Sequence, residues 1–163
     1  MKYVLGAAAA LVLAATAAPA AIAGSGWAGV ELNTVSGWYP LQPNGRWYIR
    51  GGMPGSFSVD VTNRSDHDVS DLYLRISFPP SKLEVVGYEG DHWDCWDVEG
   101  GPGVEGVHCR TAGFLAGPGK SFPTLLVRTM GREHHTDTLD VYAETAGEVD
   151  AHAGVPYSVD LST

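Results

Sequence analysis

Basic residues are scarce in this chain: 10 Lys and Arg stand against 19 Asp and Glu, for a formal net charge of −9. Such a chain lacks the electrostatic footprint that nucleic acid or an anionic lipid surface requires. Cysteine is scarcer still, with Cys95 and Cys109 alone. There is no C-x-x-C spacing, and two isolated thiols make a poor metal site. No G-x-S-x-G nucleophile motif occurs. Past residue 24 there is no long apolar run and no apolar stripe of 3.6-residue period. That excludes a membrane span and a long amphipathic helix from residues 24–163. Punctuation is abundant instead. The 21 glycines and 10 prolines break the chain into short segments, as in an all-β sandwich or barrel.

The first two dozen residues are different in kind. Lys2 supplies a cationic start, an apolar run extends from Val4 to Ala18, and Ala21-Ile22-Ala23 offers small residues around a cleavage point. This pattern is a secretory signal peptide over residues 1–23, with cleavage after Ala23 or, as the alternative, after Ala20. The run is shorter than a membrane span needs, and no charged stop-transfer segment follows it. No Cys follows the cleavage point to take a lipid, and the last residues carry no sorting tail. The expected product is secreted, free in the extracellular space or held loosely and non-covalently at the cell wall. Residues 24–163 suit a single domain, with 24–52 as an N-terminal extension or its first strands.

Alternation of apolar and polar residues is clearest in four segments: 57–61, 72–78, 139–143 and 155–161. Period two with one polar face marks strands that pack on a core from one side. Weaker strand candidates cover 30–35, 46–50, 83–88, 93–98, 105–110 and 122–130. Asn63 to Asp68 reads as a turn. Pro79-Pro80 ends the strand before it, because proline cannot donate to a ladder. Eight to ten short strands fit one antiparallel immunoglobulin-like β-sandwich.

The two cysteines belong to one hairpin. A turn centred on Pro102, with Gly101 to Gly103 as its loop, sets Cys95 directly opposite Cys109 and Asp97 opposite Val107. Directly opposed residues have Cα atoms ~4.5–5.5 Å apart, within disulfide range. An even cysteine count in an exported chain favours the bond.

The order of motifs carries a resemblance. Phe57-Ser58-Val59-Asp60-Val61-Thr62-Asn63, the segment Val69 to Pro79, Leu83-Glu84-Val85-Val86, Trp93-Asp94-Cys95 with Val107-His108-Cys109, and Phe114 to Ser121 follow one another over about residues 50–145. Together they resemble bacterial immunoglobulin-like conserved-repeat domains of secreted and cell-surface proteins, in an actinobacterial W-x-C form. The resemblance implies a fold and a location, not a chemistry. A single copy without an anchor implies a free-standing module rather than one link of a stalk.

Candidate sites are few. Glu133-His134-His135-Thr136-Asp137 is the densest ligand-like cluster, but neighbouring residues on a strand point to opposite faces. Asp66-His67-Asp68 with Asp71 is an acidic turn, short of the six to eight oxygens that calcium takes. A blue-copper site needs a His soon after a free Cys, and Arg110 to Phe114 supplies none. No metal, cofactor or catalytic residue is expected. The five tryptophans are the better clue. Trp93 shares a face with Cys95 and is expected to pack on the disulfide, which puts Trp96 on the opposite side. Trp38, Tyr39, Trp47, Tyr48 and Trp96 are the candidate binding surface. The expected function is a non-catalytic module contacting an extracellular protein or cell-wall component. The alternative is a carbohydrate-binding module using the Trp38 to Tyr48 aromatics, and a small secreted enzyme is a third class.

Overall fold

The computed structural model describes residues 20–22, 26–41, 45–100, 105–148 and 150–161. Two sheets face each other. The first contains, in spatial order, β1 (Ala20–Ile22), β2 (Ala28–Ser36), β5 (Pro54–Asn63), β10 (Leu125–Gly131) and β7 (Leu83–Glu89). The second contains β3 (Trp38–Leu41), β4 (Arg46–Arg50), β12 (Ala151–Asp160), β11 (His135–Glu144), β6 (Tyr73–Ser77), β9 (Gly106–Thr111) and β8 (Trp93–Val98). No helix among the described residues is long and apolar enough to cross a membrane.

The alternating segments set the core. Phe57, Val59 and Val61, then Leu72, Leu74, Ile76 and Phe78, point inward and are almost fully buried. Leu139, Val141 and Ala143 with Val155, Tyr157 and Val159 complete the facing layer. Each strand segment expected from the sequence is present within a few residues. The described residues hold twelve strands rather than eight to ten, the additions being β1 and β3.

Within 24–52, β2 joins the first sheet, and β3 and β4 join the second. One further expectation needs correction. The sandwich is also not wholly antiparallel, since β4 runs parallel to β12, with Tyr157 beside Trp47 and Val159 beside Ile49. Hairpin β11–β12 fixes the direction of β12, and β4, reaching the sheet through its own hairpin with β3, meets that direction in parallel.

Gly37, with φ of 65°, makes the crossing from β2 to β3. A Cβ there would lie 2.3 Å from the carbonyl oxygen of Pro54, so no other residue fits without moving the backbone. Of the expected leader, Ala20–Ile22 is described. It pairs with β2 through Ala20–Leu32 and Ile22–Glu31. Cleavage after Ala23 would leave β2 as the edge of that sheet. The other leader residues, and the expected Gly101 to Gly103 loop, lie outside the described residues.

Asn63 explains why its segment turns. Its buried side chain donates from Nδ2 to the carbonyls of His67 (2.8 Å) and Ala116 (2.9 Å). Its Oδ1 accepts from the backbone N–H and the hydroxyl of Ser65. One amide thus ties the turn after β5 to the loop before β10. Asn63→Ala removes both of these donors and the acceptor for Ser65 at once, leaving the Ala116 carbonyl to the Val69 N–H alone, and is expected to cost about 2 kcal/mol in urea unfolding.

An aromatic box fills one end of the core. Trp38 lies 5.9 Å from Trp47, 5.8 Å from Tyr157 and 6.4 Å from Phe57, ring centre to ring centre. The Tyr157 hydroxyl is buried with no hydrogen-bond partner. Burial, with a smaller contribution from the Asp137 carboxylate, raises its pKa far above the usual phenol value. That raised value makes its stabilising contribution complete below about pH 10, where free tyrosine ionises. The contribution is lost at higher pH, as the unfolded chain ionises first. Tyr157→Phe is expected to hold or raise stability by up to ~1 kcal/mol. Thermal unfolding between pH 8 and 11 should also show a shallower alkaline loss.

Candidate functional site

Cys95 and Cys109 are joined and directly opposed, with Cα atoms 4.1 Å apart. The register is the expected one, Asp97 lying opposite Val107. Cys109 is fully buried. Cys95 and Trp93 are half-buried and pack against the core, and the Trp93 indole N–H donates to the Pro123 carbonyl at 2.8 Å. Inner-face anchoring of β8 leaves Trp96 on the outer face, 38% exposed.

Strand register carries that face across the sheet. Trp96 sits beside His108, His108 beside Arg75, Arg75 beside Tyr142, and Tyr142 beside His152. One residue from each of five neighbouring strands forms a straight row of roughly 19 Å at the usual strand spacing. A second row, Asp94, Arg110, Tyr73 and Glu144, runs alongside it. On the other flank lie Gly106, Ser77, Asp140 and Gly154, whose small side chains leave a low shelf next to the ridge. A Cβ at Gly154 would come within 2.7 Å of Asp140 Oδ1, so a larger residue there would displace that carboxylate.

The ridge is held by its own contacts. The Tyr73 ring lies 5.9 Å from Trp96 and 5.4 Å from His108, tilted to the first and edge-on to the second. Tyr73 Oη meets His108 Nδ1. Burial, and next the Glu144 carboxylate, raise the Tyr73 pKa, so the phenol keeps its proton. The Arg75 guanidinium lies 4.2 Å over the Tyr142 ring, a cation–π contact, and Arg75 Nε donates to Glu144 at 3.1 Å. His152 stacks on the other side chain of its pair, Tyr142, at 4.5 Å, and meets Asp140 at 2.8 Å. The side chains are thereby pre-arranged, and a partner would freeze few rotors.

The expected surface is divided by this architecture. Trp96 is on it. Tyr39 is exposed and faces half-buried Tyr48 across the β3–β4 ladder. Trp38 and Trp47 are core residues at 3% and 0% exposure and leave the candidate surface. The reason is period two: on β4, Trp47 shares the inward face with Ile49, and Trp38 lies opposite Ile49 in the hairpin. Tyr73, Arg75, His108, Tyr142 and His152 were missed as site residues. Their only sequence signal was their place at the polar positions of alternating strands. The His134–His135 cluster does not converge: His134 approaches Asp160 at 3.8 Å, while His135 meets Asp137 at 3.1 Å. Among the described residues no group of three or more His, Cys, Asp or Glu side chains could hold a metal ion.

No family model matches this chain, and no curated protein does. Solved structures do. A cohesin module from a Clostridium perfringens family 33 glycoside hydrolase aligns with a TM-score of 0.54 at 9% identity, covering 80% of this chain and 98% of that one. AvmM, which catalyses macrocyclization in alchivemycin A biosynthesis, aligns over 80% of this chain and 90% of its own at 18% identity, with a TM-score of 0.44. The likeness to the cohesin module is one of fold: this chain is a cohesin-like, all-β two-sheet sandwich.

Proposed function

We propose that this chain is a secreted, non-catalytic module that binds a protein, free or in the cell envelope, through the outer face of its seven-stranded sheet. The observation that carries the reading is the row Trp96, His108, Arg75, Tyr142 and His152. Trp, Tyr and Arg are the residues that most often dominate binding energy at protein interfaces. Here they stand on a rigid sheet, in the arrangement that keeps the ordering cost of association low. A cohesin-like sandwich fits a binding module. The motif resemblance to bacterial immunoglobulin-like conserved-repeat domains over residues 50–145 fits it as well, and the signal-like leader fits export.

Ring geometry favours protein over carbohydrate. A sugar platform needs flat aromatic faces open to solvent. Trp96, Tyr73 and His108 stand tilted or edge-on to each other, and the faces of Tyr142 are taken by Arg75 and His152. The Trp38 to Tyr48 set contributes no exposed tryptophan.

The test compares the oxidised chain with Trp96→Ala and Tyr142→Ala. All three are incubated with envelope protein fractions and with purified cell-wall polysaccharides. A protein ligand retained by the parent chain should be lost at least tenfold in either variant, with unfolding midpoints nearly unchanged. Retention on polysaccharide, with tryptophan quenching, would replace this reading by the sugar one. Equal protein binding by all three chains would end it.

A further inference from the structure

We propose that the free edge of β8 accepts an extended peptide strand carrying a cationic side chain, added antiparallel to the seven-stranded sheet. This does not rest on the outer-face reading above, because it uses the other side of β8. The strand ends its sheet, so one flank of its backbone has no ladder partner among the described residues. The opposed pair Cys95–Cys109, with Cα atoms 4.1 Å apart, is of the close type that exchanges no backbone hydrogen bonds. The N–H and C=O of Cys95 therefore point away from β9. By the two-residue period, so do those of Trp93 and Asp97. These groups project to the open side as a template for another strand.

Side chains on the inner face continue the template. β7, the edge of the other sheet, shares a groove with β8. Val85, Trp93 and Cys95 pack on the core from these edges but are only partly covered. A groove of about 210 Å³ opens beside them, lined by Phe78, Pro80, Val85 and Val98 with Glu84 and Asp97. Asp97 shares the inner face with Cys95, since both lie opposite buried residues of β9. An inward carboxylate on an edge strand repels a purely apolar strand and attracts one with Lys or Arg at the matching position. Asp97 and Glu99 make no ion pair among the described residues, whereas Glu84 is held by Arg132. The net charge of −9 draws a cationic segment from a distance.

Two other sheet ends, β7 and β3, are blunted in ways β8 is not. β7 carries an irregularity in its pairing with β10, where Val86 has no counterpart. β3 contains Pro40, which removes a donor. β8 contains no proline, and its register with β9 is unbroken from Trp93 to Val98. The disulfide clamps this strand to β9 and keeps the edge straight.

The probe is a capped heptapeptide, Thr-Lys-Thr-Val-Thr-Val-Thr. In antiparallel register it sets Lys opposite Asp97 and the two Val opposite Cys95 and Trp93. Added at roughly 1 mM to the oxidised chain, it should slow amide hydrogen exchange at Trp93, Cys95 and Asp97. Replacing its Lys by Glu should weaken binding about tenfold, and Asp97→Lys should reverse that preference. N-methylation of the peptide backbone should abolish the protection. Trp96→Ala, which disables the outer face, should leave it intact. Unchanged exchange at the three amides, protection on β7 instead, or equal binding of the Lys and Glu peptides would overturn the proposal.

Discussion

Trp47→Ala is expected to destabilise the sandwich by about 4 kcal/mol, the range for deleting a buried tryptophan ring. Trp47 has no exposed surface, and its ring centre lies 5.9 Å from that of Trp38 and 5.8 Å from that of Phe57. It stands on β4, beside Tyr157 of β12. The void would therefore open where the parallel pair joins the two-sheet core, with little slack for collapse. Small domains have only about 5–15 kcal/mol in total, so the variant should unfold at a much lower urea concentration. Trp47→Phe should cost far less. The indole N–H of Trp47 has no partner, so phenylalanine forfeits volume but no hydrogen bond. A loss as small for alanine as for phenylalanine would show that this end of the core is loosely packed.

Removing the disulfide is expected to cost about 3 kcal/mol. The bond closes a loop of 14 residues in sequence separation, and the chain-entropy model gives that magnitude for a loop of this size. The double replacement Cys95→Ala with Cys109→Ala separates the effect from side reactions of free thiols. The loss should be uneven in space. β8 contacts its sheet through β9 alone, and its inner face is only half covered. In the double variant, amide exchange should accelerate first in β8 and β9, while Leu139 to Ala143 of the central strand β11 keep their protection. Mass analysis of the parent chain without reduction should find no free thiol.

Much of this protein was legible before its fold was. In Leu72 to Phe78 and Leu139 to Ala143 one polar face alternates with one apolar face, and both entered the core as read. The cysteine register could be computed from the hairpin alone because a two-residue period is rigid: once Pro102 is taken as the centre, every opposed pair follows. Trp47 was also readable. Arg46, Tyr48 and Arg50 alternate with Trp47 and Ile49, which assigns the tryptophan inward, and its candidacy as a surface residue gave too much weight to aromatic composition. Trp38 was harder, since its direction depends on β3, a four-residue strand with a proline in it.

The binding ridge was not legible. Trp96, His108, Arg75, Tyr142 and His152 lie on five strands scattered through the chain. Alternation says which face each residue takes, but not which strand lies beside which. That order is decided by long-range closure: β12 lands between β4 and β11, and β6 between β11 and β9. So the sequence by itself determined the all-β class, the in-or-out sense of most strand residues, the disulfide and the acidic character, because each depends on local period, spacing or composition. Only the tertiary structure decided strand order, the parallel β4–β12 pair, the burial of Trp38 and the assembly of the outer ridge. Those depend on contacts between segments far apart in the chain, where the energy of joint burial, rather than any local preference, selects the neighbour.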